Sequence, residues 1–472
     1  MKISILHISD LHKEATDNYN NLFQSMKDDC DKYTKKGIRM PEIIVVSGDL
    51  IKGGTQNEIR KQYEEVTEFL NKLVGFFLTG DKIKIIIVPG NHDIDWNVSR
   101  ESMQKEIDDN TDGFINRKKE NAVKLFQKDS QVRWSWQEFC FYKIKNIDKY
   151  NERFLLFAEF YSTFYGTEYS SNPQEQFHIH DISQLKVAFV AFNSCYNNDH
   201  LNFSGTIKPD CITKASDELR RLHNLGRILI AVWHHNTIGL PFENNYMDKR
   251  ILRSMIDKHI QIGLHGHQHK CQVSFENKNV FSDDKILIIS SGTLYGNRVA
   301  LPAGTKRQYN IIEIDTGNDK ATITIHSRED KSQDEYDIPS WGEGRIDDSS
   351  DSLWTTEINL PPQPPIETIL DSIIRETEQD GNYDLGISKL LGLDVTNPMV
   401  RKFLLDYLER ISNYGLIFEH FKTPQNNEEA ISLINAVLEM NDSMKKKEVL
   451  GIPFINDSQD ASVKQLFQHL KN

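Results

Sequence analysis

The sequence has no Cys-x-x-Cys pair, no long apolar run, no basic excess and no visible repeat, and each absence removes a class of protein. Its five cysteines (Cys30, Cys140, Cys195, Cys211, Cys271) are odd in number and scattered, which fits reduced or buried thiols better than a disulfide frame or a zinc ribbon. No stretch approaches the roughly 20 apolar residues of a membrane span. Met1-Lys2 runs directly into a strand-like segment, with no apolar region ahead of a small-residue cleavage site, so a cytoplasmic location is expected. Lys and Arg number 56 against 69 Asp and Glu, and the net charge of −13 argues against broad non-specific duplex binding. A metal site that brings its own positive charge is untouched by that balance. The pair Gly53-Gly54 lacks the spacing of a phosphate loop and reads as a turn.

What is present is an alternation. The run from Ile3 to Ser9 reads as a buried strand ending in Asp10-Leu11-His12. An amphipathic stretch with Leu22, Phe23, Met26, Cys30 and Tyr33 follows, then a strand from Ile43 to Val46 ending in Ser47-Gly48-Asp49-Leu50. A second helix carries Ile59, Tyr63, Val66, Leu70 and Leu73 on one face, and a strand from Ile83 to Val88 ends in Pro89-Gly90-Asn91-His92-Asp93. The rhythm resumes with strands at Val187 to Phe192, Ile228 to Val232 and Ile260 to Leu264. The last two end in Trp233-His234-His235-Asn236 and His265-Gly266-His267-Gln268-His269. Such alternation predicts βαβ units and a mostly parallel sheet, with functional groups beyond the carboxyl ends of the strands. Later runs at 273–281, 286–290, 309–314 and 322–326 have shorter connections, which predict antiparallel pairing in a second sheet.

At 472 residues two domains are expected. Residues 95 to about 180 read as a mostly helical, aromatic-rich insertion over the strand ends. Its aromatics, Trp96 among them, either pack the insertion's own core, the commoner case, or stack on a substrate base. Residues 328–365, acidic and then Pro-rich, read as a linker. Residues 366–472 read as helical, with an apolar stripe through Val400, Leu404, Leu408, Ile411 and Tyr414 that suits a bundle core more than a partner face.

An Asp-x-His alone is more often surface decoration than a ligand pair. Here Asp10, His12, Asp49, Asn91, His234, His267 and His269 all fall on strand ends, and all are carboxylate, amide or imidazole groups. Without a thiolate, that set points to a catalytic manganese, iron or zinc centre and away from a structural zinc site. Seven ligands are too many for one ion with an open position, but they suit two ions sharing a carboxylate, roughly 3.5–4 Å apart, around a phosphoryl group.

Asp10-x-His12, Gly48-Asp49, Gly90-Asn91-His92-Asp93, His234 and Gly266-His267-x-His269 together resemble the signature of the calcineurin-like metallophosphoesterase family, in family order, over roughly residues 1–325. The resemblance implies an α/β fold, a two-layer β-sandwich flanked by helices, as a catalytic domain at 1–327; the all-α domain read at 366–472 lies outside it. It implies that Asp10, His12 and His269 hold one ion, that Asn91, His234 and His267 complete a second, and that Asp49 bridges both. The ions would be two divalent cations, manganese first, with iron, zinc or nickel as the others, and a bridging water would be the in-line nucleophile. His92 would face the phosphate and protonate the leaving oxygen, with Asp93 orienting it. In the His-His pair the match favours His234 over His235.

The implied activity is hydrolysis of phosphodiesters, or of phosphomonoesters, on nucleotides or cyclic nucleotides. The alternatives are a DNA or RNA nuclease acting with a partner protein, and a recruitment scaffold without chemistry. The helical C-terminal region would bind a partner or oligomerise, and no membrane is expected. Asn193 is a candidate for a substrate contact, and Arg298 and Arg307 for a phosphate contact, each against a commoner structural role. His7, His178, His180, His200, His223 and His265 are expected to play no catalytic part.

Overall fold

The computed structural model describes residues 1–13, 19–107, 112–127, 129–239, 245–296, 301, 304–317, 319–332, 338–347, 349–362 and 364–471. The chain forms two compact units, Met1–Gln363 and Pro364–Asn472.

The strands of the first unit are, in chain order, β1 (Lys2–Ile8), β2 (Ile43–Val46), β3 (Ile85–Ile87), β4 (Met103–Lys105), β5 (Val132–Ser135), β6 (Cys140–Ile144), β7 (Phe177–Ile182) and β8 (Val187–Phe192). They continue with β9 (Ile228–Val232), β10 (Ile260–His265), β11 (Gln272–Asn277), β12 (Lys285–Ser290), β13 (Gln308–Thr316), β14 (Lys320–Asp330), β15 (Trp341–Glu343) and β16 (Leu353–Asn359). One mixed sheet runs β15-β14-β13-β1-β2-β3, with β16 also on β14, and a second runs β11-β12-β10-β9-β8-β7. The βαβ units supply the parallel pairs β1/β2, β2/β3, β8/β9 and β9/β10.

The two sheets face each other because their apolar strands alternate between two burial environments. Ile3, Ile5, Ile43, Val45 and Ile86 meet Val187, Phe189, Ile230, Val232 and Leu264 in the layer between the sheets. The intervening residues Leu6, Ile8, Ile44, Val46 and Ile85 pack outward on the helices Tyr19–Cys30 and Gln56–Phe77. Val190, Phe192, Leu229, Ala231 and Trp233 do the same on the other side, against the helices Pro209–Asn224 and Arg250–Ile256. Burial on both faces is why these strands read as unbroken hydrophobic runs. The result is the expected fold class, a β-sandwich flanked by helices.

Two expectations need correction and a third an addition. The late strands do not form a second sheet of their own. The β11/β12 hairpin extends the sheet of β10, and the β13/β14 hairpin extends that of β1, with β13 antiparallel to β1. The insertion carries helices as expected, at Trp96–Glu101, Asp112–Leu125, Ile147–Asn151 and Leu155–Tyr165, but beside them β4, β6 and β5 make a separate three-stranded sheet whose short, half-exposed strands carry too little apolar alternation to stand out. Its aromatics also divide: Phe157, Phe160, Tyr161 and Phe164 of the helix Leu155–Tyr165 join the main core, where Tyr63 stacks on Phe160 with ring centroids 4.9 Å apart. Finally, the stretch 328–365 is not a free linker, because it holds the end of β14 and all of β15 and β16, hydrogen-bonded into the first sheet. The edge position of β16 leaves most of its residues partly solvated, so its Thr, Glu and Asn looked like linker composition.

The second unit is all helical, from Ile366–Asp380 to Ala461–Lys471. Val400, Leu404 and Leu408 are buried with Leu370 and Leu390, and Leu433, Val437 and Phe467 form a further cluster. The apolar stripe is therefore used internally. A buried pair, Arg401 to Glu429 at 2.6 Å, ties two of the helices together.

Candidate metal centre

All seven candidate ligands lie just past the carboxyl ends of their strands, and five reach one another by turning the backbone into the left-handed region. Asp10 has φ 54°, His12 43°, Asp49 53°, His267 71° and His269 59°. A non-glycine residue pays on the order of 1 kcal/mol for that conformation. Its recurrence at these positions marks a place where side-chain direction outweighs backbone ease.

The carboxylates of Asp10 and Asp49 are buried and similarly arranged. Asp10 Oδ2 accepts the His267 N–H at 3.1 Å, and Asp49 Oδ1 accepts the His92 N–H at 2.8 Å. The other oxygen of each is turned toward imidazoles. Asp10 Oδ1 lies 3.5 Å from His12 Nε2 and 3.4 Å from His269 Nδ1. Asp49 Oδ2 lies 3.3 Å from His234 Nε2 and 3.9 Å from His12 Nε2, so one oxygen stands between the two histidine groups.

Donor chemistry tests whether cations fit here. Ser47 O lies 2.8 Å from His234 Nδ1, and a carbonyl only accepts, so Nδ1 carries a proton. In the neutral ring Nε2 is then a lone pair. That lone pair faces Asn91 Oδ1 at 3.1 Å, His267 Nδ1 at 3.2 Å and Asp49 Oδ2 at 3.3 Å. A cation amid these atoms would turn mutual repulsion into ligation. Burial disfavours charge on His234, but the Asp49 carboxylate raises it to about 9. Burial and the neighbouring His234 lower His267 to about 3. Burial would also push Asp10 up, yet His269 and His12 hold its carboxyl below the usual range, and His234 does the same for Asp49. Asp10 Oδ1 and His267 Nε2 are buried without a hydrogen bond among the described residues. The ligand atoms of Asp10, His12 and His269 lie within 4.8 Å of one another, as do those of Asp49, His234 and His267. The site fits two divalent cations.

Two motif glycines are fixed by proximity. A Cβ on Gly90 would lie 2.1 Å from Asp49 Oδ1 and 2.3 Å from Asp49 N, and one on Gly266 would lie 1.9 Å from Ser9 Oγ and 2.6 Å from Asp10 Oδ2. The Gly90 contact includes backbone, so Gly90→Ala must displace Asp49. We expect at least about tenfold weaker metal binding in that variant, read by titration of the metal-stripped protein, with an unchanged circular dichroism spectrum.

His92 sits at the edge of this cluster, its ring 4.8 Å from that of His12, and its Nδ1 donates to Lys52 O at 3.0 Å. Asp93 does not orient that ring. Its carboxylate is turned inward, where it accepts from Gly90 N (2.8 Å), Leu50 N (3.2 Å) and Tyr63 Oη (3.1 Å). Burial and the adjacent Asp49 raise it to about 7. Asp93 thus braces the Asp49 and Asn91 loops against each other. Asn193 is buried and bonded to Gln176 and to the Cys195 N–H, so it is structural. The buried Arg307 donates to Gly296 O and lies over Tyr295, while Arg298 falls outside the described residues.

Sequence reasoning missed the groups that aim the ligands. Ser194 Oγ accepts the N–H groups of both His234 and His235 and lies 2.9 Å from His235 Nδ1, which makes His235 a neighbour held by a hydroxyl. Thr293 Oγ1 lies 2.6 Å from His269 Nδ1. A signal for Thr293 existed, since Ser291-Gly292-Thr293 follows β12 as the ligand motifs follow their strands.

A family model described as calcineurin-like phosphoesterase matches residues 3–271, more than half of the chain. The chain belongs to that family. Calcineurin-like phosphoesterases depend on a dinuclear metal site, and this one is a metal-dependent hydrolase of phosphoesters. Among solved structures it is similar to a dimetal phosphatase from Danio rerio, with 9% identity and a TM-score of 0.36 over 68% of this chain and 95% of that one. It is also similar to the calcineurin-like phosphoesterase YfkN from Bacillus subtilis, with 13% identity and a TM-score of 0.27 over 80% and 97%. A third likeness is to a Vps29 single mutant from Entamoeba histolytica, with 8% identity and a TM-score of 0.27 over 76% and 99%. No curated protein matches the chain significantly. Among the described residues no helix is long and apolar enough to cross a membrane.

Proposed function

We propose that this phosphoesterase hydrolyses phosphodiester bonds of nucleotides, with Asp10, His12, His269 and Asp49 holding one cation, Asp49, Asn91, His234 and His267 a second, and His92 serving as proton donor. The carrying observation is a cavity of about 380 Å³ lined by both His92 and Trp96. The indole lies 6.2 Å from the His92 ring at an interplanar angle of 32°. A substrate whose phosphate meets the ligand cluster would therefore place its leaving group beside a flat aromatic surface, which suits a nucleobase. Trp96 is the insertion aromatic that takes the stacking role left open by the sequence.

When bound, the two cations supply Lewis-acid stabilisation of the phosphoryl oxygens and lower the pKa of an attacking water. The remaining work falls to the chain. The two carboxylates and four imidazoles set the charge and spacing of the site. His92 is held at Nδ1 by Lys52 O and at its backbone N–H by Asp49, which leaves Nε2 to carry the proton that the departing oxygen requires.

The test is a substrate panel with added Mn²⁺: bis-p-nitrophenyl phosphate, p-nitrophenyl phosphate, 2′,3′- and 3′,5′-cyclic nucleotides, and dinucleotides. Hydrolysis of nucleotide diesters with a higher kcat/KM than p-nitrophenyl phosphate is expected. Cleavage of the monoester alone overturns the reading.

A further inference from the structure

The geometry points to a linear substrate whose leaving group carries a second anionic group as well as a base, with Arg100 and Trp96 selecting it; this rests on the phosphodiesterase reading above. The cavity beside His92 is lined by the cation Arg100 and by one carboxylate, Glu58. That carboxylate is already engaged, since it accepts from Thr55 N at 2.7 Å and lies 2.8 Å from Thr55 Oγ1 at the start of the helix Gln56–Phe77. Among the described residues Arg100 pairs with Asn97 and with no carboxylate, in a chain whose net charge is −13. Its guanidinium is nevertheless placed: Nη1 donates to Asn97 Oδ1 at 3.0 Å, and Asn97 Nδ2 donates to Gly54 O at 3.2 Å, on the loop between Asp49 and that helix. A planar guanidinium held this way, with donors to spare, is suited to a phosphate.

Trp96 supplies the second half. Its indole Nε1 is buried without a hydrogen-bond partner among the described residues, a donor that an acceptor on a bound ligand would satisfy. Phe203 lies 5.9 Å from the indole, so the stacking surface is backed by a second ring. A cyclic mononucleotide has one phosphate, which the ligand cluster would take, and nothing for Arg100. A dinucleotide with a 5′-phosphate supplies both groups. Water adds at the internal phosphorus, the bond from phosphorus to the 3′-oxygen breaks, and that oxygen takes a proton. Two 5′-mononucleotides result.

The experiment uses the full, metal-loaded chain and compares kcat/KM for 5′-phosphoadenylyl-adenosine (pApA) with that for adenylyl-adenosine (ApA), with bis-p-nitrophenyl phosphate as a base-free diester control. A wild-type ratio of about tenfold or more in favour of pApA is expected for one charge-assisted contact. Arg100→Met should bring that ratio near one, and Arg100→Lys should keep part of it. Trp96→Leu should raise KM for both dinucleotides with a smaller change in kcat. Equal rates on pApA and ApA, or the same ratio in Arg100→Met, overturn this inference while leaving a phosphodiesterase. No hydrolysis even of bis-p-nitrophenyl phosphate overturns the phosphodiesterase reading, and this inference with it.

Discussion

Asp49→Ala should strip the protein of at least one of two divalent ions and lower turnover by about 10³-fold or more, the equivalent of several kcal/mol of lost charge stabilisation. The reason is positional. Asp49 Oδ2 is within 3.3 Å of His234 Nε2 and 3.9 Å of His12 Nε2, while Oδ1 is occupied by the His92 N–H. One oxygen therefore serves both ligand groups, and the loss also frees the loop that carries His92. Asn91→Ala is the contrasting case. Asn91 Oδ1 lies 3.1 Å from His234 Nε2 and belongs to one group, so that variant should keep the ion held by Asp10, His12 and His269. Elemental analysis after gel filtration separates the cases. Two ions retained in Asp49→Ala would refute the shared-carboxylate arrangement, and two ions lost in Asn91→Ala would show that the two groups do not bind independently.

The strand ends were legible because burial on both faces made β1, β2, β3, β9 and β10 continuous apolar runs, and a polar residue directly after such a run has few reasons to be there. Ligand type then pointed to the chemistry, and order along the chain carried the family resemblance. What sequence could not reveal was direction. Asp10, His12, Asp49, His267 and His269 converge only through positive φ, a conformation their residue types do not announce. Their supporting partners are carbonyls and hydroxyls, such as Ser47 O, Lys52 O, Ser194 Oγ and Thr293 Oγ1, which no spacing rule marks. Asp93 illustrates the gap. Its place in Gly-Asn-His-Asp suggested a bond to His92, yet adjacent residues on a tight turn point apart, and its carboxylate turns to Gly90, Leu50 and Tyr63. The strands β15 and β16 were hidden for a different reason. An edge strand with a solvated face needs few apolar residues, and its composition then matches that of a linker.

His92→Ala should keep both ions and lose about 10²- to 10⁴-fold in kcat, the usual range for a general acid or base. The loss should depend on the leaving group. p-Nitrophenolate departs without a proton, so bis-p-nitrophenyl phosphate should suffer least, whereas a nucleoside 3′-oxygen needs protonation and should suffer most. Geometry makes the separation from metal binding feasible. The His92 ring is anchored at Nδ1 by Lys52 O, and the contact His92 makes with Asp49 is through its backbone N–H, which alanine retains. A ring nitrogen of His92 does come within 4.8 Å of a ring nitrogen of His12 and a carboxylate oxygen of Asp49, so a metal role has to be tested directly. Metal content measured on the same preparation settles it. A uniform loss across leaving groups with both ions present would assign His92 to electrostatic stabilisation of the phosphate and remove the proton-donor role. Loss of an ion would make it a ligand.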